Sequence, residues 1–126
     1  MANILIIDDD PDDIRLVTKL LGDNQFHVTQ ALSGEDGLSI VEKTKPDAVI
    51  LDLFMPTMNG FMVLEKLRLD PELGDLPVII LTGADLTPEQ KQLLADFSNN
   101  LMHKGSLNEN ELLSHLERSL GRIKNE

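Results

Sequence analysis

Three runs in this chain, Ile4–Ile7, Ala48–Leu51 and Val78–Leu81, are apolar at every position. A half-exposed strand alternates apolar with polar residues, so a short unbroken run of Ile, Val and Leu marks a strand buried on both faces. Strands of that kind are parallel and covered by helices. A weaker run, Phe26–Ala31, and a short one, Leu101-Met102, complete a set of five. The stretches between carry helix signals. Asp10-Pro11-Asp12-Asp13 combines a cap, a proline at the first helical position and acids in the first turn, ahead of a stripe of Ile14, Val17, Leu20 and Leu21 that ends at Gly22. Ser33 and Asp36 open a second helix that stops before Pro46, and a third is expected from about Gly60 to Leu69, with Asp70-Pro71 as its stop. Thr87-Pro88-Glu89-Gln90 reads as a capping box leading into Leu93, Leu94 and Phe97. Asn108–Glu111 opens the last helix, where Leu112, Leu113, Leu116 and Leu120 recur at helical spacing. Five strands alternating with five helices predict an α/β, doubly wound five-stranded parallel sheet in the order 2-1-3-4-5. One domain takes residues 1–121, leaving 122–126 as a short C-terminal tail.

Composition narrows the chemistry. The 126 residues leave no room for a second core, and 41% apolar residues suffice for one without staples. No Cys is present, which removes disulfides, thiol nucleophiles and cysteine-based metal centres and makes a reducing cytoplasm the default. Eleven Lys+Arg against 22 Asp+Glu, a net charge of −11, argue against nucleic acid as a partner. No apolar run approaches the ~20 residues of a membrane span, and no signal-like segment precedes the first run. The absence of Trp and Tyr leaves little to stack on a flavin or a base.

In a parallel sheet all strands end at one edge, and ligands bind there, where the strand order reverses. Run one ends in Asp8-Asp9-Asp10, run three in Asp52, run four in Thr82 and run five in His103-Lys104; only run two ends blandly, in Leu32-Ser33. In the order 2-1-3-4-5 the four chemically loaded ends are contiguous. Two carboxylates 4 Å apart repel by about 4 kcal/mol at an effective dielectric of 20. A divalent cation relieves that repulsion, and an all-oxygen ligand set selects Mg²⁺ or Mn²⁺. With a hydroxyl from Thr82 and an ammonium from Lys104, these are the parts for stabilising a phosphoryl group on a nucleophilic carboxylate. Taken singly, each feature has a plainer reading: a helix cap for Asp8–Asp13, a β-former for Thr82, a surface cation for Lys104. Their coincidence at successive strand ends is the signal.

At these residues the chain resembles the receiver domains of two-component response regulators, from Asn3 to about Leu120. The resemblance rests on Ile4-Leu5-Ile6-Ile7-Asp8-Asp9-Asp10-Pro11, on Asp52-Leu53-Phe54-Met55-Pro56-Thr57-Met58-Asn59-Gly60, on Leu81-Thr82-Gly83-Ala84 and on Lys104. The separations of 44, 30 and 22 residues linking Asp8, Asp52, Thr82 and Lys104 are similar to the family's own. The resemblance implies a flavodoxin-like receiver fold and a phosphoacceptor at Asp52, charged by the phosphohistidine of a histidine kinase or phosphotransfer domain. It further implies Mg²⁺ held by Asp9, Asp52 and the Phe54 backbone carbonyl, with Asp8 acting through water. Thr82 and Lys104 would meet the phosphoryl oxygens. The protein is then a cytoplasmic switch rather than a turnover enzyme, read out on the face of the fourth helix, fifth strand and fifth helix.

Two departures from the family pattern stand out. Lys104 is followed by Gly105 where many receivers carry proline, so a trans bond is expected, because a non-proline cis bond costs about 2.5–4 kcal/mol. This Lys-Gly-Ser segment resembles receivers attached to hybrid sensor kinases. Leu101 stands where many receivers carry a switching Tyr or Phe. The three His are scattered and form no ligand set, and Met55, Met58, Met62, Phe54 and Phe61 make a soft apolar group around the acceptor loop, read first as packing. Two other functions compete: a receiver-like interaction scaffold that never uses phosphate, and an aspartyl-phosphate phosphatase of the haloacid dehalogenase type. The second wants an Asp two residues after its nucleophile, and that position is Phe54.

Overall fold

The computed structural model describes residues 1–22, 25–95 and 100–121. Five strands, β1 (Ala2–Ile7), β2 (Phe26–Ala31), β3 (Ala48–Leu51), β4 (Val78–Thr82) and β5 (Asn100–His103), alternate with five helices. The helices are α1 (Pro11–Leu21), α2 (Gly34–Thr44), α3 (Gly60–Leu69), α4 (Pro88–Ala95) and α5 (Glu109–Ser119), and a 3-10 turn at Lys104–Ser106 precedes α5. The sheet is wholly parallel in the order β2-β1-β3-β4-β5. Phe97 and the tail 122–126 lie outside the described residues.

The unbroken apolar runs follow from the two-sided cover. Successive side chains of a strand point to opposite faces. Ile4, Ile6, Ile50, Ile79 and Leu81 therefore pack with Ile14, Val17 and Leu21 of α1 and Leu112 and Leu116 of α5. Leu5, Ile7, Val49, Leu51 and Ile80 pack the other way, against Val41 of α2, Val63, Leu64 and Leu67 of α3, and Leu94 of α4. Each such side chain contributes about 1.5–3 kcal/mol when fully buried.

Caps fall where the residue types place them. Asp10, Ser33, Asn59 and Asn108 precede α1, α2, α3 and α5, and each side chain accepts a first-turn backbone N–H. Thr87 and Gln90 form the reciprocal pair ahead of α4: the Gln90 N–H donates to Thr87 Oγ1 at 3.1 Å, and the Thr87 N–H to Gln90 Oε1 at 2.9 Å.

Three details differ from the sequence reading. β1 begins at Ala2 rather than Ile4, because Ala2 and Asn3 pair with Phe26 and His27 of β2; Asn3 also exchanges hydrogen bonds with Asp47 through its backbone N–H (2.7 Å to Oδ2) and C=O (2.8 Å from the Asp47 N–H). β5 is longer by one residue at each end. Leu93 does not join the core; it is 46% exposed, and Leu94 is the buried residue of α4. No peptide bond among the described residues is cis, so Lys104–Gly105 is trans as expected.

Candidate functional site

The parallel register delivers the ends of β1, β3, β4 and β5 to one edge. Asp8 and Asp52 are the first residues past β1 and β3, where the last rungs of the ladder anchor them: the Asp52 N–H donates to the Ile7 carbonyl (2.9 Å) and the Asp8 N–H to the Ala31 carbonyl (3.1 Å). Both carboxylates are buried, at 3% and 6% exposure, while Asp9 is exposed. Asp8, Asp9 and Asp52 each turn a carboxylate oxygen to the same point, with those oxygens all within 4.8 Å of one another. That is an all-oxygen donor set, and it fits a hard divalent cation.

Behind Asp52 the chain turns back on itself. Gly60 opens α3 so close to β3 that a Cβ there would lie 2.3 Å from the Asp52 carbonyl oxygen and 2.6 Å from the Leu53 Cα. Its N–H donates to the Leu53 carbonyl at 2.8 Å. Thr57, within the loop so closed, takes a left-handed φ of 67°, a strained conformation for a β-branched residue. The soft apolar group splits: Met55 is buried, whereas Phe54 and Met62 are each 44% exposed. The Phe54 ring meets Phe61 edge to face at a centroid distance of 6.1 Å.

Thr82 ends β4 fully buried, its Oγ1 accepting the Ala84 N–H at 3.2 Å. Beside it a cleft of ≈ 360 Å³ is walled by Leu86, Leu101, Met102 and His103. Leu101 is 40% exposed at its mouth. Lys104 reaches into the acidic pocket, but Asp52 is the farthest of its three partners. Its Nζ lies 2.7 Å from Asp13 Oδ2, 3.0 Å from Asp8 Oδ2 and 3.6 Å from Asp52 Oδ1. Asp13 was not among the sequence candidates. An acid in the first turn of a helix reads as a partner for the helix dipole, and nothing local shows that it meets a lysine 91 residues away.

The electrostatics follow from this crowding. Burial, then the charge of Asp8, push the Asp52 carboxyl up to about 6 against the pull of Lys104 and a hydrogen bond from the Phe54 backbone. Asp8 is likewise raised, by burial above all, although the Asp10 N–H and Lys104 stabilise its anion. For Lys104 burial opposes the charge, but hydrogen bonds to Asp13 and Asp8 and the charge of Asp52 outweigh it, and its pKa is raised. The ammonium is permanent at physiological pH.

Fold and pocket together define a receiver domain of two-component signalling, and the chain belongs to that family: the response regulator receiver domain model matches residues 4–117. Among curated relatives, the protein PilH of Pseudomonas aeruginosa is 40% identical over 85 residues, covering 68% of this chain and 70% of PilH. The response regulator PleD of Caulobacter vibrioides is 32% identical over 103 residues, covering 82% of this chain but 23% of PleD, so most of that relative has no counterpart here. Among solved structures, the chemotaxis protein CheY4 of Vibrio cholerae superposes with a TM-score of 0.85 at 30% identity, covering 95% of this chain and 99% of that one. The receiver domain of a signal transduction histidine kinase from Syntrophus aciditrophicus superposes with a TM-score of 0.86 at 25% identity, covering 100% and 95%. No described helix is long and apolar enough to cross a membrane.

Proposed function

We propose that residues 1–121 act as a phosphorylation switch whose acceptor is Asp52, charged by the phosphohistidine of a histidine kinase or phosphotransfer domain in the cytoplasm. The observation that carries this is the buried Asp52 carboxylate, flanked by two further acids and a lysine at the edge where the strand order reverses. One Asp52 oxygen forms the O–P bond as the donor's P–N bond breaks, and the imidazole leaves with a proton. A carboxyl with a pKa of about 6 is more basic than an ordinary one yet still ionised at neutral pH, which suits a nucleophile.

Asp9, Asp52 and the Phe54 carbonyl would hold Mg²⁺, with Mn²⁺ as a substitute. Asp8 would act through water, because its Oδ1 already accepts the Asp10 N–H (3.0 Å) and its Oδ2 takes Lys104. The cation supplies charge neutralisation at the acids and at the transferring phosphoryl oxygens. Thr82 and Lys104 complete the cradle: the hydroxyl donates to one phosphoryl oxygen after giving up its contact with the Ala84 N–H, and the ammonium pairs with another. This is modification of the protein's own side chain, without turnover. Readout falls to the face of α4, β5 and α5, where Leu101 stands at the mouth of the cleft beside Thr82 and moves inward when the hydroxyl leaves.

The test is intact-mass analysis after incubation with Mg²⁺ and a small phosphodonor such as acetyl phosphate. One phosphoryl group should be added, and none to Asp52→Asn. Labelling that survives in the variant refutes the acceptor assignment.

A further inference from the structure

The geometry points to Asp13 as a fourth acid of the pocket, a positioning residue that holds Lys104 in the unphosphorylated chain and competes with the phosphoryl group for it. This inference rests on the phosphoacceptor reading of Asp52.

Asp13 is free to play that part because of how α1 begins. At the third position of a helix an acid commonly turns back to the backbone N–H of the capping residue. Here the capping residue is Asp10, and its N–H is already taken by Asp8 Oδ1 at 3.0 Å. The Asp13 carboxylate instead points across the pocket and makes the shortest contact that Lys104 has, 2.7 Å. Both side chains are partly shielded, with exposures of 31% for Asp13 and 20% for Lys104. Solvent therefore screens this pair less than it screens a surface pair.

Charge counting gives the consequence. Asp8, Asp9 and Asp52 balance one divalent cation and one lysine. Asp13 leaves the pocket one negative charge in surplus before any phosphoryl group arrives. It therefore favours the cation and opposes the phosphoryl group twice over, by repulsion and by occupying the ammonium the phosphoryl oxygens need. The ion pair with Asp13 must loosen when Asp52 is modified, so Asp13 sets how far the phosphorylated form is populated.

The opposite signs make the test specific. Asp13→Asn should weaken Mg²⁺ binding and, at saturating Mg²⁺, strengthen beryllofluoride binding, each by about threefold to tenfold for one charge at pocket distances. Both are read by calorimetric titration of the purified chain. Asp13→Glu, which keeps the charge, should stay near the parent in both. A merely structural defect would weaken both ligands together, and that result overturns the proposal, as does Asp13→Asn matching the parent in both titrations. If the parent chain itself binds no beryllofluoride with Mg²⁺ present, the phosphoacceptor reading falls and this one with it. If the parent binds and the variant does not differ, this one falls alone.

Discussion

The Asp52 corner and the α4–β5 corner of the same sheet are built to different standards. Around Asp52 the backbone is held by ladder hydrogen bonds from β1, by the seat of Gly60 on β3, and by α3, which buries Val63, Leu64 and Leu67. Across the sheet, α4 over its described residues, Pro88–Ala95, buries Leu94, while Leu93 and Leu101 lie open at 46% and 40% exposure. β5 is a four-residue edge strand in which only Met102 is buried. The proposed phosphoacceptor chemistry calls for the first kind of packing, which holds its groups in place. The proposed readout on α4, β5 and α5 calls for the second, because elements with few buried contacts open most readily.

The comparison can be broken by matched substitutions. Gly60→Ala should have the largest effect, a loss of about 3–5 kcal/mol or failure to fold, because its Cβ would meet backbone that cannot withdraw. Urea unfolding measures it, and a loss below about 1 kcal/mol would show the Asp52 corner to be softer than described.

Asp52→Asn comes next, and its effect depends on pH. In metal-free buffer Asp52 holds its proton more tightly folded, at about 6, than at the ordinary carboxylate value of 3.8. The folded state thus binds more protons between those values, so this contribution is complete below about 4 and is lost as pH rises through 6. At pH 7.5 the variant should be more stable than its parent by on the order of 1–3 kcal/mol, and at pH 4 the difference should vanish. Equal stability at both pH values would mean that the acids are not crowded. Adding Mg²⁺ should stabilise the parent more than the variant, by mass action.

Thr87→Ala removes a cap worth about 1 kcal/mol. In the pliable corner that loss should stay local, with amide exchange across 88–95 accelerated several-fold and the global unfolding midpoint almost unmoved. A full shift of the midpoint would mean that α4 unfolds only with the whole domain. Gly83→Ala should do least, under about 0.5 kcal/mol, since its Cβ would rest 3.6 Å from the flexible Lys104 Cδ, an ordinary contact.

The sheet order, the helices and the starts at Asp10, Ser33 and Asn108 were legible because each is a local matter of periodicity or of one side chain reaching its own backbone; the cap at Asn59 went unread. The four chemical positions were legible because parallel strands end together, so sequence order translated into space. Asp13 was not: its meaning lies in a contact across 91 residues and in a competing hydrogen bond, that of Asp8 with the Asp10 N–H, which only three dimensions display. The exposure of Leu93 was hidden for a similar reason. Adjacent leucines on one helix read as a stripe, and which of them faces the sheet depends on how α4 lies against it.

The clasp between Leu53 and Gly60 has a bearing on how this chain can diverge. Surface loops ordinarily tolerate insertions and deletions more readily than the elements they join. The segment 53–60 is shut at its base by the Gly60 N–H on the Leu53 carbonyl, with α3 seated directly on the end of β3. Its exposed members, such as Phe54, can change letter without disturbing that closure. A change of length must be taken up between 54 and 59, because one that draws Gly60 off the Leu53 carbonyl would unseat α3. The tip of the loop is thus free to vary while its two closing residues are not.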